Sequence, residues 1–332
     1  MNCHDKCCGS FWTMILILSE PDDDSTSNVI DWLLHYKANF IRINEGEVTT
    51  YKICLNGHFV LNIARGDQSL DLTKIKAFWY RRGNFSTVKH FSGNERIDRF
   101  INREQASLEE LIHMTLKKKP SIGSYLENYI NKIHVMRIAS NKGLRIPHTL
   151  ITSKRASLQE FLKKYDYLIT KPIKDGFWVD VDNKRFSFPT TLITSEDLGK
   201  YPIDFNTLLV QEYIDKLYEL RIFYLDGEFC STAVFPSREN PQARIDIRAD
   251  FEGVPNRIVP YNLPDVIKVR LDSMMKELNY LSGSIDMVVS KTLDYYFLEV
   301  NPIGQYQQVS NPGNYGIDKM IARKLIQLDH EN

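Results

Sequence analysis

Long apolar runs are missing from this 332-residue chain. The longest near the start, Met14 to Leu18, is far short of the roughly 20 residues a membrane-crossing helix needs, and no basic segment or small-residue cleavage site surrounds it. A cytoplasmic protein is the expectation. Cysteine is scarce as well: of five, Cys3, Cys7 and Cys8 crowd the beginning while Cys54 and Cys230 stand alone. That is too few and too uneven for a disulfide framework, so reduced thiols are expected. His4 beside the three early thiols imitates a zinc site, yet nothing downstream completes a paired-ligand spacing. Residues 1–13 are expected to be a leader or extension ahead of the folded chain.

Excess charge of either sign is also absent. Lys+Arg and Asp+Glu both total 42, for a net charge of zero, which argues against a chain that binds nucleic acid or a membrane surface as a whole. Any phosphate chemistry must be local. No Gly-x-x-x-x-Gly-Lys-Ser/Thr loop occurs, which excludes a Walker-type NTPase, and no internal repeat or low-complexity tract points to a solenoid. What remains is ordinary: 43% apolar and 25% charged residues exclude disordered, collagen-like and coiled-coil chains. The length suits about two domains with a buried core.

Met14-Ile-Leu-Ile-Leu-Ser19 reads as a buried strand, followed by Pro21, three aspartates and a helical pattern from Ser25 to Tyr36. Further strands are expected at Asn39 to Ile43, Tyr51 to Leu55, Phe59 to Ile63 and Lys76 to Arg81, with a long helix from Asn94 to Lys119 stopped by Pro120. A second helix is predicted from Tyr125 to Asn141, ending at Gly143. Short elements at Pro147 to Thr152, Leu158 to Lys164 and Tyr167 to Lys171 make a small lobe. Strand-like runs at Leu208 to Ile214, Tyr218 to Leu225 and Glu228 to Phe235 follow, the last two joined by Asp226-Gly227, a dipeptide suited to a type I′ hairpin.

The most informative stretch runs from Gly283 to Pro302, two apolar runs separated by a polar turn. A turn centred between Thr292 and Leu293 puts Asp286 opposite Glu299, with Asn301 on the same face as Glu299. Directly opposed Cβ atoms lie about 4.5–5.5 Å apart, and like charges so placed are destabilising unless a cation sits between them. Three oxygen donors select Mg²⁺ or Mn²⁺ over zinc. The competing reading is a solvated acidic hairpin, against which Phe297, Leu298 and Val300 argue for burial.

Few protein ligands on magnesium imply phosphates completing its shell, and hence cations upstream. Lys171 closes the apolar strand Tyr167-Leu-Ile-Thr-Lys, where it is either a phosphate ligand or a solvent-facing strand end. Lys132 is less specific and alone reads equally as surface charge. Glu219 and Arg221, two apart on a strand, point the same way, either toward a nucleotide or as a structural ion pair.

In order, these residues resemble the ATP-grasp superfamily: Lys132, Lys171, the hinge Glu212-Tyr213-Ile214, Glu219, Asp286, and Glu299-Val-Asn301. Phe78-Trp-Tyr-Arg-Arg-Gly83, Asp246-Ile-Arg248 and Glu299 to Tyr306 narrow the resemblance to the graspetide synthetases, the grasp-with-spasm peptide maturases and chryseoviridin-type macrocyclases among them. The resemblance implies an α/β (α+β) ATP-grasp fold: a pre-ATP-grasp domain over 14–122, a central lobe over 123–210 and a C-terminal antiparallel-sheet lobe over 211–332. It also implies an ADP-forming ligase of RiPP biosynthesis that uses ATP and Mg²⁺, phosphorylates Asp or Glu side chains of a ribosomal precursor peptide, and closes omega-ester or amide cross-links to Ser, Thr or Lys. A ligase joining free amino acids, or adding glutamate-type units to a protein terminus, is the alternative.

By the same resemblance Lys132, Lys171, Glu212, Tyr213, Ile214 and Glu219 bind nucleotide, and Asp286, Glu299 and Asn301 bind metal. Arg221 and Arg248 would stabilise the transferred phosphate, with Asp246 orienting the site. Gly176 is the one glycine of a thin phosphate lid. Apart from the resemblance, Arg81 and Arg82 are expected to face the substrate cleft, strand alternation letting at most one of them point inward, with a structural arginine that pairs the first lobe to the second as the alternative. A homo-oligomer is implied, with neither nucleic acid nor membrane as a partner.

Overall fold

In the computed structural model the described residues are 14–55, 59–87, 92–174, 178–182, 184–187, 189–236, 245 and 256–331. They fall into two compact units, one within Met1–Asn128 together with Gly316–Asn332, the other within Tyr129–Tyr315.

The first unit is built around a parallel sheet. Strand β1 (Ile15–Ser19) is followed by helix α1 (Asp24–His35) and strand β2 (Phe40–Asn44). Asp23 caps α1, its carboxylate accepting from the Thr26 amide at 2.9 Å, which fixes the helix start that the sequence predicts. Strands β3 (Thr50–Leu55), β4 (Phe59–Arg65) and β5 (Gln68–Asp71) form a separate antiparallel sheet. Then come β6 (Ala77–Tyr80), the long helix α2 (Glu95–Leu116) and the short β7 (Ser121–Ile122), giving the parallel order β2-β1-β6-β7.

The second unit opens with α3 (Lys132–Asn141), not the longer helix predicted from Tyr125. Asn131 is the reason: its side chain accepts from the His134 amide at 3.0 Å and starts the helix there, while Tyr125–Tyr129 is a 3-10 turn. Next are β8 (Thr149–Lys154), α4 (Arg155–Lys164), β9 (Leu168–Thr170), the hairpin β10 (Trp178–Val181) and β11 (Lys184–Ser187), β12 (Thr191–Ile193) and β13 (Asp204–Glu212). Strands β12-β9-β13-β8 make a four-stranded sheet on which α4 packs through Leu158 and Leu162.

The larger sheet of this unit contains β14 (Lys216–Leu225), β15 (Glu228–Phe235), β16 (Arg257–Pro260), β17 (Ser282–Ser290) and β18 (Tyr295–Asn301), in the order β16-β15-β14-β17-β18 and antiparallel throughout. One of its faces is the core. Leu220, Ile222, Ile285, Met287, Phe297 and Val300 pack there with Val135 and Ala139 of α3 and with Leu271 and Met274 of α5 (Asp265–Glu277). Alternation along each strand therefore sends the intervening residues to the opposite face.

After α6 (Gln307–Gly313) the chain returns to the first unit, where α7 (Ile317–His330) packs on α1, β1, β6 and β7. The sequence reading of a single lobe over 211–332 thus differs at its end: Ile317, Ile321, Ala322 and Leu325 give α7 an apolar stripe, buried within the first unit.

Candidate active site

The functional face of the larger sheet carries one row of charge. Arg221 on β14 is the register partner of Asp286 on β17, which in turn is opposite Glu299 on β18. The Asp286 to Glu299 opposition agrees with the sequence reading, but for a further reason. Near the turn the register is one residue tighter, with Met287 opposite Phe297, and an extra residue at Leu298 then shifts it. Without that β-bulge, Glu299 would fall on the same face as Phe297, inside the core. With it, Phe297 and Val300 both go inward and Glu299 goes to Asp286.

These charges are heavily paired. Arg221 Nη1 contacts the Asp286 carboxylate and its Nη2 donates to Glu219 Oε2 at 3.0 Å. The Lys132 ammonium, from the first turn of α3, donates to Glu299 Oε2 at 3.0 Å. Burial pushes the Asp286 carboxyl up from its ordinary range; Arg221 pulls it back and Glu299 pushes it further up, with a net rise. Burial works against the Arg221 charge, but Asp286 and Glu219 outweigh it and hold the guanidinium firmly protonated.

One cavity gathers half of the predicted residues. Lys132, Lys171, Glu219, Arg221, Asp286 and Glu299 all line it, together with Lys174 and Ile245. Lys171 stands just past β9 and is half-buried. Other predicted residues lie elsewhere. Glu212 ends β13, its Oε1 accepting from the His148 amide at 2.9 Å. Tyr213 and Ile214 belong to the link into β14, and none of these three lines the cavity. Asn301 ends β18 opposite Ser284 and is also outside the lining set. Gly304 follows because a Cβ there would collide with the Ser284 side chain. Asp246, Arg248 and Gly176 lie outside the described residues.

Lys216 is a site residue that sequence reasoning missed. Its ammonium contacts Glu219 Oε1 with only 5% of the side chain exposed. The two are three positions apart on one strand, a spacing that ordinarily puts them on opposite faces. A bulge between Lys216 and Tyr218 moves Lys216 onto the functional face.

Arg81 is enclosed in the first unit. Its Nε lies 3.2 Å from Asp23 Oδ2, Nη2 donates to Ser25 at 3.0 Å, and Arg82 shares the same aspartate at 3.1 Å.

Among the described residues no group of three or more His, Cys, Asp and Glu side chains is arranged to hold a metal. A donor set of Asp286, Glu299 and the Asn301 amide is all hard oxygen, which fits Mg²⁺ with phosphate oxygens and water completing the shell. The half-buried, mutually repelling pair of Asp286 and Glu299 is the feature of this sheet that a divalent cation would relieve. No described helix is long and apolar enough to cross a membrane.

The fold is that of the ATP-grasp ligases, and on it the motif-based resemblance and the structural likeness agree. No protein-family model matches the chain. Macrocyclase MdnC from Microcystis aeruginosa MRC, solved bound with precursor peptide MdnA, superposes with a TM-score of 0.79 at 24% identity, over 95% of this chain and 99% of that one. A RiPP-associated ATP-grasp ligase of Chryseobacterium gregarium, in complex with ADP and a leader and core peptide, superposes with a TM-score of 0.81 at 22% identity, over 95% and 96%. In sequence, the alpha-aminoadipate–LysW ligase LysX of Sulfurisphaera tokodaii is 21% identical over 257 residues, 75% of this chain and 86% of that protein.

Proposed function

We propose that this chain is an ADP-forming ATP-grasp ligase acting on a ribosomally made precursor peptide, in which it closes side-chain links. The observation that carries the reading is the cavity lined together by Lys132, Lys171, Arg221, Asp286 and Glu299: cations for phosphates beside carboxylates for a metal. The likeness to peptide macrocyclases over nearly the whole chain supports the choice of substrate.

Ester or amide formation in water is uphill, so the acceptor carboxyl must first be activated. A precursor Asp or Glu carboxylate attacks the γ-phosphorus of ATP, forming an acyl phosphate and releasing ADP. Lys132 and Lys171 hold the phosphates that stay behind, and Arg221 stabilises the one that moves. Arg248 assists and Asp246 orients the site. Magnesium held by Asp286, Glu299 and Asn301 would neutralise charge on the phosphates. A Ser or Thr hydroxyl or Lys amine of the same peptide then attacks the acyl carbon, loses its proton and expels phosphate. Holding both groups on one peptide gives an effective molarity on the order of 10⁵ M or more, which favours ring closure over hydrolysis. We favour esters. The enzyme is read as cytoplasmic and homo-oligomeric.

The test is the product. Each ring must lower the precursor mass by one water and release one ADP, and mild base must restore the water to esters and leave amides intact. ADP without water loss, or water loss without ADP, refutes the macrocyclase reading. Similarity to LysX favours one other outcome, a ligase that adds a free amino acid to a protein; that product would be heavier.

A further inference from the structure

The charge row contains a group that the proposed chemistry leaves unused. Lys216 opens β14, and its buried ammonium contacts Glu219 Oε1 while lying 3.4 Å from the backbone carbonyl of Ile245. The other Glu219 oxygen is thereby left for Arg221 Nη2 at 3.0 Å, and Arg221 Nη1 goes to Asp286. Lys216, Glu219, Arg221 and Asp286 thus alternate in sign along a continuous series of contacts. A carboxylate gripped on one oxygen presents the other in a fixed direction, and a planar guanidinium gripped on two edges loses its freedom to turn. Ile245 lines the same cavity, so Lys216 also ties the strand to that wall.

We propose that Lys216 is a positioning residue: by fixing Glu219 it sets the Arg221 guanidinium toward the cavity before substrate arrives. Its kinetic consequence rests on the phosphate-stabilising role given to Arg221 above, whereas the geometric claim rests on the contacts alone. Nothing in the motif pattern singles Lys216 out, because the bulge that brings it to this face is invisible to strict strand alternation.

The experiment uses the intact chain with ¹⁵N-labelled arginine, the Arg221 signals being assigned by their loss in Arg221→Lys. A guanidinium held on two edges turns slowly about its Cζ–Nη bonds and gives separate Nη resonances. These are expected in the wild type and in Lys216→Arg, and are expected to merge in Lys216→Met, which keeps the stem and removes the charge. In turnover with precursor, Lys216→Met should lose about a hundredfold in kcat, the scale of a misplaced catalytic contact, with little change in KM for ATP. Lys216→Arg should recover most of it. Separate Arg221 signals in folded Lys216→Met overturn the proposal whatever the turnover. If wild type releases no ADP yet the signals merge as expected, the functional reading fails and the positioning claim stands. Should Lys216→Met not fold, Lys216→Gln, which is neutral but leaves Glu219 a polar neighbour and its grip on Arg221 Nη2 untouched, is judged by the same spectrum: merged signals support the proposal, separate ones refute it.

Discussion

His113 and Glu127 make opposite demands on the pH dependence of the first unit. His113 is 2% exposed, stacks on Tyr125 at 4.2 Å and donates from Nε2 to Asn84 Oδ1 at 2.8 Å, while its buried Nδ1 has no partner among the described residues. A proton on Nδ1 would add a second donor and a charge with nothing to receive them, so burial pulls the imidazole down from 6.5 to about 4. Stability from neutral His113 is therefore complete above 6.5 and drains away as pH falls toward about 4. Glu127 runs the other way: burial pushes its carboxyl up from 4.5 to about 7, against the pull of Lys117 and the Ser124 backbone. Its contribution is complete below 4.5 and is lost as pH rises toward about 7. The displacement is worth about 3 kcal/mol for His113, and about 2 kcal/mol for the less buried Glu127 after allowing for solvent screening. Between about pH 4.5 and 6.5 the two slopes oppose, and wild-type stability of this unit should be nearly flat.

Each substitution should unmask the other residue. In His113→Phe, stability of the first unit should fall with rising pH through this window; in Glu127→Gln it should rise. The assay is hydrogen exchange of the buried β1 amides, corrected for intrinsic rates, which reports this unit without requiring both units to unfold together. Difference curves against wild type remove contributions from groups such as Asp286. Variant curves running parallel to wild type would refute the reasoning.

Glu299→Gln keeps the shape and removes one charge, so Mg-dependent ADP release should fall at least about a hundredfold with the fold intact; full release in that variant would sink the metal assignment. Lys171→Ala should weaken ATP binding and leave precursor binding nearly unchanged, as titration calorimetry with each ligand will show; equal loss of both counts against separate sites. Arg81→Ala leaves Asp23 to Arg82 and the Thr26 amide and should cost about 2–3 kcal/mol, seen as a lower melting temperature, while sparing the rate of ADP release. A rate loss without destabilisation would instead return Arg81 to the substrate.

Much of the local structure was legible because local chemistry decides it. Asp23 announces α1, and Asp226-Gly227 sets the β14–β15 turn with φ of 46° and 90°, the positive pair a type I′ turn needs. The start of α3 is not legible in the sequence because an apolar pattern continues through Tyr125–Tyr129, where the capping preference of Asn131 wins. Docking of α7 in the first unit had no local signal at all, since the contacts join residues almost three hundred positions apart. Within the site, Asp286 and Glu299 were found from a symmetric turn, although a bulge completes their alignment. Lys216 carries no such signal, because a bulge alone brings it there.

Those two irregularities divide the tolerances of the site between identity and number. Leu217 and Leu298 are the extra residues, and each could be exchanged for another side chain with modest effect on which neighbours point where. Removing either would invert everything between it and the strand end: Lys216 would leave Glu219, or Glu299 would turn into the core and Val300 out of it. Among descendants of this chain, then, substitutions at the exposed position 217 can drift while single-residue deletions at either position are lost. A library that varies length there and not composition would separate active from inactive sequences most sharply.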